Sequence, residues 1–182
     1  VQPATFPLVR EPLSRQLSRA IPSDLFHHEM RYWLLKSEPD SYSIDDLLAE
    51  PRKTTFWDGV RNYQARNFIR DDMRKGDLAF FYHSGAQPPA IAGVVEIVRE
   101  AYPDSSAFDP KSKYFDPKSD PDNPAWFMVD VKAVEKYDEP ITLPALRDVK
   151  GLDGLELLKR GSRLSVQPVS ERHWKIITGL RK

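Results

Sequence analysis

Trp33-Leu34-Leu35-Lys36-Ser37-Glu38-Pro39 runs from an apolar core into an abruptly polar end. With Tyr32 in front, the apolar run is too short for a helix and reads as a buried strand, with Trp33 in the core. Two more stretches repeat the pattern. Phe80-Phe81-Tyr82-His83-Ser84-Gly85 closes a strand read over 78–82, and Leu164-Ser165-Val166-Gln167-Pro168 ends a short strand read over 163–166. One polar strand end is ordinary, because Ser and Glu side chains satisfy local backbone groups. Three of them point to a shared mouth, since the strand termini of a small barrel converge where ligands bind.

Between these ends the chain alternates strands with short helices. Ser43 with Asp46 forms a capping-box pattern for a helix through Leu47, Leu48 and Ala49, closed by Pro51. Asn62 caps a helix whose Ala65, Phe68, Ile69 and Met73 share one face, with Gly76 as its left-handed terminator. Strands are expected over 91–98 and 126–134, the second with Phe127, Val129, Val131 and Ala133 on one face. Thr142 caps a helix with Pro144 in its first turn, Leu155, Leu157 and Leu158 make a further turn, and Ser170 caps a helix burying Trp174, Ile177 and Leu180. A long Asp-Pro-rich loop carries Phe108-Asp109-Pro110-Lys111-Ser112 and its near-copy Phe115-Asp116-Pro117-Lys118-Ser119. Two copies read as repeated turns, not as a repeat architecture. Strands with helices inserted irregularly between them imply an α+β, mixed barrel-like domain and argue against a doubly wound sheet.

Thr55-Phe56-Trp57-Asp58-Gly59-Val60-Arg61-Asn62 places an aromatic, a carboxylate, a guanidinium and an amide around a turn-forming glycine. Polar groups fixed beside a flat ring suit recognition of a planar heterocycle, its face stacked and its edge read. Candidate ligand contacts are therefore Ser37, Glu38 and Pro39; Trp57, Asp58, Val60, Arg61 and Asn62; Tyr82, His83 and Ser84; and Ser165, Gln167 and Pro168. Arg66, Arg70 and Arg74 follow at four-residue steps. Such a stripe is commonly a solvated face paired with acids such as Asp71, and its functional reading is a phosphate-contact surface.

With 27 basic and 27 acidic side chains among 182 residues, the net charge is zero. A generic polyanion binder carries a basic excess, so charge favours a specific pocket over tight duplex binding. The absence of cysteine excludes disulfides and thiol chemistry and is compatible with a reducing compartment. No metal site or cofactor is expected: His83 stands alone and His27-His28 lacks helical ligand spacing. No apolar run is long enough to span a bilayer, so the chain reads as soluble. Residues 1–29, rich in Pro, Ser and Arg, read as an arm preceding a domain over 30–182, with Met30 as the domain's natural start. The arm's Phe6, Leu8, Leu13, Leu17, Ile21, Leu25 and Phe26 are expected to pack on the domain or to mediate self-association.

The strings WLLKSEP (33–39), TTFWDGVRNYQARNF (54–68), FFYHSG (80–85), IAGVVEIVREAYPD (91–104), NPAWFMVDV (123–131) and RLSVQP (163–168) closely resemble the EVE domain, from about Tyr32 to Leu180. The resemblance implies a PUA-like mixed β-barrel related to ASCH domains and to YTH readers of methylated adenine. It also implies a non-enzymatic reader of a modified base, of the 5-methylcytosine type or another, in single-stranded or flipped DNA or RNA. The compartment would be cytoplasmic for a bacterial-type member and nuclear for a eukaryotic one. Against YTH domains, Lys36-Ser37 resembles the strand-end pair and Trp57 the cage tryptophan. No second cage tryptophan stands at 84–89, leaving Tyr82 or Phe56 to supply another face. The rival reading is an ASCH-like hydrolase using Glu38, Asp58 and His83 as acid and base, although no nucleophile–base motif accompanies them.

Overall fold

The computed structural model describes residues 29–181, so the expectations for the arm fall outside the described residues. Ten elements carry the fold: β1 (Tyr32–Ser37), α1 (Ile44–Ala49), β2 (Thr54–Trp57), α2 (Tyr63–Asn67), β3 (Leu78–His83), β4 (Ala90–Pro103), β5 (Phe127–Thr142), α3 (Leu143–Arg147), β6 (Val166–Val169) and α4 (Glu171–Thr178). The strands form one mixed sheet in the order β2-β5-β4-β3-β1-β6. β1 and β3 run parallel and every other pair is antiparallel. The α+β expectation therefore holds as a six-stranded mixed sheet with short helices.

Local chemistry sets the helix boundaries. Ser43 and Asp46 make the reciprocal capping box of α1, and Asn62, Thr142 and Ser170 cap α2, α3 and α4 through their side-chain oxygens. Each cap satisfies a backbone N–H that would otherwise lack a partner. After Asn67 the helix widens into a π turn over Phe68–Asp72, and Gly76 adopts φ +95°.

The sheet carries a hydrophobic core on each face. One cluster draws on all six strands, including Trp33, Leu35, Trp57, Phe81, Val129 and Val166, and is closed by Ile44, Leu47, Ala65, Ile69 and Met73 from the helices. The other packs Leu34, Phe80, Tyr82, Val94 and Tyr137 against Leu146, Trp174 and Ile177. Phe80 and Trp174 stack at 4.1 Å between ring centroids. Alternation along β3 assigns Phe81 to the first core and Phe80 and Tyr82 to the second.

Three differences from the sequence reading have physical causes. Thr54–Trp57 is an edge strand paired with β5, not only a turn. β4 and β5 run well past their expected ends, because register shifts at Ile91/Gly93, Val94/Val95 and Ile97/Arg99 break the alternation that marks a strand. The last strand is Val166–Val169 instead of 163–166, since its pairing with β1 extends to Tyr32↔Val169.

Asp77 and His83 tie this frame together. The fully buried Asp77 carboxylate accepts from the Arg31 and Arg74 backbone amides and from Trp33 Nε1. Asp77→Ala leaves those donors unsatisfied, each costing about 1–3 kcal/mol where buried, and chemical denaturation should show a loss of at least that size. His83 Nε2 accepts from Ile44 N–H at 3.2 Å, which requires a neutral ring. Burial lowers the His83 pKa, with Asp45 opposing and Lys136 assisting. The folded state therefore binds this proton less readily than the unfolded chain. The stabilisation is complete above the unfolded value of 6.5 and is lost as pH falls through the lowered folded pKa. Denaturation curves at a series of pH values should show this loss in the wild type and a smaller one in His83→Gln.

Candidate functional site

Parallel pairing of β1 with β3 sets Ser37 opposite His83, so both strands end at one level. Ser84 N–H donates to Ser37 O at 2.9 Å and locks the two ends together. β6 runs antiparallel to β1, which brings its N-terminal end to the same level; there Lys36 N–H donates to Ser165 O at 2.9 Å. The end of β2 faces these termini across a cleft of about 1110 Å³. Ser37, Glu38, Ser84 and Ser165 line one side, and Thr55, Phe56, Trp57, Asp58, Gly59 and Val60 line the other.

A buried carboxylate holds the second wall. Asp104, with no side-chain exposure, accepts from Gly59 N–H at 3.0 Å and from Arg61 Nη1 at 2.7 Å on Oδ2, while Ser106 binds Oδ1. Burial opposes ionisation of Asp104, yet the hydrogen bonds from Arg61, Ser106 and Gly59 outweigh it and hold the pKa below the usual value. Gly59 sits at φ +73°, and a Cβ there would collide with the Tyr114 ring, so both the turn and the close approach require glycine. Arg61 also donates to Tyr114 O and lies over the Tyr114 and Trp126 rings. Tyr63 stacks on Trp126 at 4.9 Å, and Trp126 Nε1 donates to Asp116.

The long loop is thereby fastened to the Trp57–Asn62 turn. Its duplicated motif makes two equivalent turns: Asp109 Oδ1 accepts from Lys111 N–H, and Asp116 Oδ1 from Lys118 N–H. Asp120 repeats the bond with Asp122 N–H. These turns present Lys113 and Tyr114 to the cleft.

Several expected contacts lie elsewhere. Arg61 is committed to Asp104, Ser106 and Tyr114 O and does not line the cleft. Asn62 Oδ1 is used by its cap on Ala65. Tyr82 faces the second core and cannot supply a second wall; burial raises its pKa. His83 caps α1, Pro39 stands outside the lining, and Gln167 is buried with its amide donating to Ser162 Oγ and Leu164 O. Pro168 lies at the far end of β1, beside a smaller hollow of about 510 Å³ formed with Met30, Tyr32 and Phe68. Antiparallel β6 carries Gln167 and Pro168 away from the mouth, leaving Ser162, Arg163 and Ser165 there.

The arginine stripe is satisfied internally. Arg66 donates to Asn67 and to Ala125 O, Arg70 to both oxygens of Asp71, and Arg74 to Met73 O and Asp71 O. None of the three lines the cleft, whereas Lys36, Arg52, Lys113 and Arg163 do. Burial lowers the Lys36 pKa, partly offset by Glu156.

Trp57 is only 8% exposed and meets Phe81 edge-on at 5.3 Å, so it belongs to the core and shows the cleft a small part of its surface. Tyr42 and Tyr114 also line the cleft. The Tyr42 hydroxyl is buried without a hydrogen bond of good geometry, and burial, opposed by nearby Thr55, raises its pKa. Tyr102 also lines the cleft and donates to Asp130, the residue paired with Phe56 of β2; burial and that acceptor push its pKa up to about 12. Sequence reasoning left Tyr42, Asp104, Tyr114 and Arg163 unassigned, although Asp104 closes a quoted motif and Tyr114 abuts the duplicated turn. Among the described residues no group of three or more His, Asp or Glu could hold a metal ion, and no helix is long and apolar enough to cross a membrane.

Comparisons with known proteins agree with this architecture. Thymocyte nuclear protein 1 of Homo sapiens is 43% identical over 168 residues, which is 83% of this chain and 74% of that protein. A crystal structure of a Pseudomonas syringae protein matches at a TM-score of 0.79 and 46% identity, over 83% of this chain and 99% of that one. The crystal structure of human THYN1 in complex with DNA containing 5-methylcytosine matches at a TM-score of 0.78 and 43% identity, over 82% of this chain and 96% of that one. An ASCH protein from Zymomonas mobilis, 7% identical with a TM-score of 0.53, shares the fold alone. The EVE domain model matches residues 31–180. The chain belongs to the EVE domain family.

Proposed function

We propose that this protein is a non-enzymatic reader that takes one modified base, of the 5-methylcytosine type, into the cleft between the β1–β3 ends and the Trp57 turn. The observation that carries the reading is the cleft wall itself: aromatic Trp57 and Tyr114 and the carboxyl of Asp58 on a turn clamped by Asp104. The likeness to human THYN1 bound to DNA containing 5-methylcytosine supports the choice of ligand. The curled sheet, whose inner core draws on both outer strands, is read as a PUA-like barrel. Ser37 and Ser84, whose hydroxyls donate to Tyr42 O and Ser37 O, offer oxygen lone pairs to the base edge, and Ser165 offers a hydroxyl. Arg52 and Arg163, which make no side-chain ion pair or hydrogen bond among the described residues, are placed for flanking phosphates at the rim. Extruding a base from a duplex costs a few kcal/mol, so single-stranded or distorted DNA is the easier substrate.

The hydrolase alternative is weakened, because His83 holds α1 and does not line the cleft, leaving Glu38 and Asp58 as its only acid–base candidates there. Glu38 and Asp58 remain without a positioned partner for nucleophilic attack.

Titration with oligonucleotides carrying one 5-methylcytosine, beside unmodified controls and an assay for base release, tests the reading. The expected result is preferential binding without turnover; equal binding of modified and unmodified strands contradicts it. Tyr114→Ala should leave the fold intact and weaken binding by roughly 1–3 kcal/mol, about ten- to a hundredfold. Trp57→Ala should also lose about 3–5 kcal/mol of stability as a buried aromatic. Denaturation and titration on the same preparations separate the two roles. With zero net charge, binding to unmodified duplex should be weak near physiological salt and fall as salt rises.

A further inference from the structure

We infer that Asp58 discriminates between pyrimidines in this cleft: its carboxyl and N3 of a cytosine-type base hold one proton between them, while the exocyclic amine donates to the second carboxyl oxygen. This rests on the reader assignment above and adds the residue and the chemistry of selection.

Two carboxyls stand at the turn with opposite fates. Asp104 receives Gly59 N–H, Arg61 and Ser106 and remains ionised. Asp58 is half-buried in the cleft wall beside Trp57. Arg61, the cation on its own turn, gives its guanidinium to Asp104, Ser106 and Tyr114 O. Burial, then the negative charge of Asp104, raises the Asp58 pKa against the opposing pull of its own backbone, Ser106 and Arg61. A pair of carboxyls driven apart in this way divides into a fixed anion and a proton carrier. The other charged groups lining the cleft are Lys36, Glu38, Glu50, Arg52, Lys113, Asp130 and Arg163, with Tyr42, Tyr102 and Tyr114 as further titratable groups.

Cytosine presents an acceptor at N3 and donors on its amine. A bare carboxylate repels the N3 lone pair, and one added proton removes that repulsion. The proton can sit on oxygen, or on N3 to give a carboxylate facing two donors, which is the stronger charge-assisted arrangement. Thymine has the same 5-methyl group but already carries a hydrogen on N3, and its O4 faces the carboxyl as an acceptor. It can pair only with the neutral acid and gains no charge assistance. The two bases therefore share methyl contacts and stacking, and they differ at Asp58.

The experiment measures binding of two short single strands, identical except for 5-methylcytosine or thymine at one position, to the full chain and to Asp58→Asn from about pH 5.5 to about pH 8. Asparagine keeps the shape and offers a donor and an acceptor without titrating. The wild type should bind the 5-methylcytosine strand more weakly as pH rises, approaching about tenfold per pH unit for one linked proton. It should prefer that strand over the thymine strand by about tenfold or more at the acidic end. Asp58→Asn, checked for folding by circular dichroism, should lose the pH slope, and its preference should collapse toward unity. Wild-type affinity independent of pH, or a variant keeping both slope and preference, overturns the inference. Failure of the wild type to bind either strand overturns the reader assignment and this inference with it.

Discussion

The buried ion pair between Asp104 and Arg61 is the constraint on which the cleft depends. Asp104 directly follows the long β4 strand, whereas Arg61 belongs to the turn after β2, and their 2.7 Å contact joins segments 43 residues apart. Asp104 has no side-chain exposure and Arg61 about one-fifth, so removing either partner strands a charge in a poorly solvated place, at a cost on the order of 3–5 kcal/mol. The same carboxylate takes Gly59 N–H. That bond fixes the backbone between Trp57 and Arg61 and so sets where Asp58 stands. Aromatic packing of Tyr63, Trp126 and Tyr114 around the guanidinium completes the clamp and orders a loop that would otherwise be long for a compact domain.

The opposite wall is a consequence of topology. Parallel β1 and β3 end together, so the polar ends of two hydrophobic strands lie side by side and satisfy one another through Ser84 and Ser37. β6, antiparallel to β1, contributes its start instead of its end. One face of the sheet supports the cleft through Trp57, Phe81 and Val166, and the other anchors α4. The site thus rests on paired strands on one side and on a clamped turn on the other.

What the sequence made legible was local. Ser43, Asn62, Thr142 and Ser170 cap their helices because a cap is decided within three residues. The duplicated Phe-Asp-Pro-Lys-Ser motif read as turns for the same reason. β2 escaped notice because its pairing with β5 is remote and its polar end resembles a turn. Arg61 and Asn62 suit ligand contact by residue type, yet internal partners take the Arg61 guanidinium and the Asn62 side-chain oxygen. Asp104 could not be assigned from spacing, since its partners Gly59 and Arg61 meet it only in the folded chain. Tyr82 lies one step of strand alternation from the cleft-side face, so its ring joins the opposite core, which a polar strand end alone does not reveal.

The most direct test of the cleft as the base-binding site is a backbone and indole N–H chemical-shift titration with a single-stranded oligonucleotide bearing 5-methylcytosine. The account predicts that the largest shifts fall on Trp57, Asp58, Gly59 and Tyr114 and on Ser37, Ser84 and Ser165, with Arg66, Arg70, Arg74 and the hollow beside Tyr32 little changed. Shifts centred on Arg66, Arg70 and Arg74, or on Met30, Tyr32 and Pro168's neighbours, would contradict it.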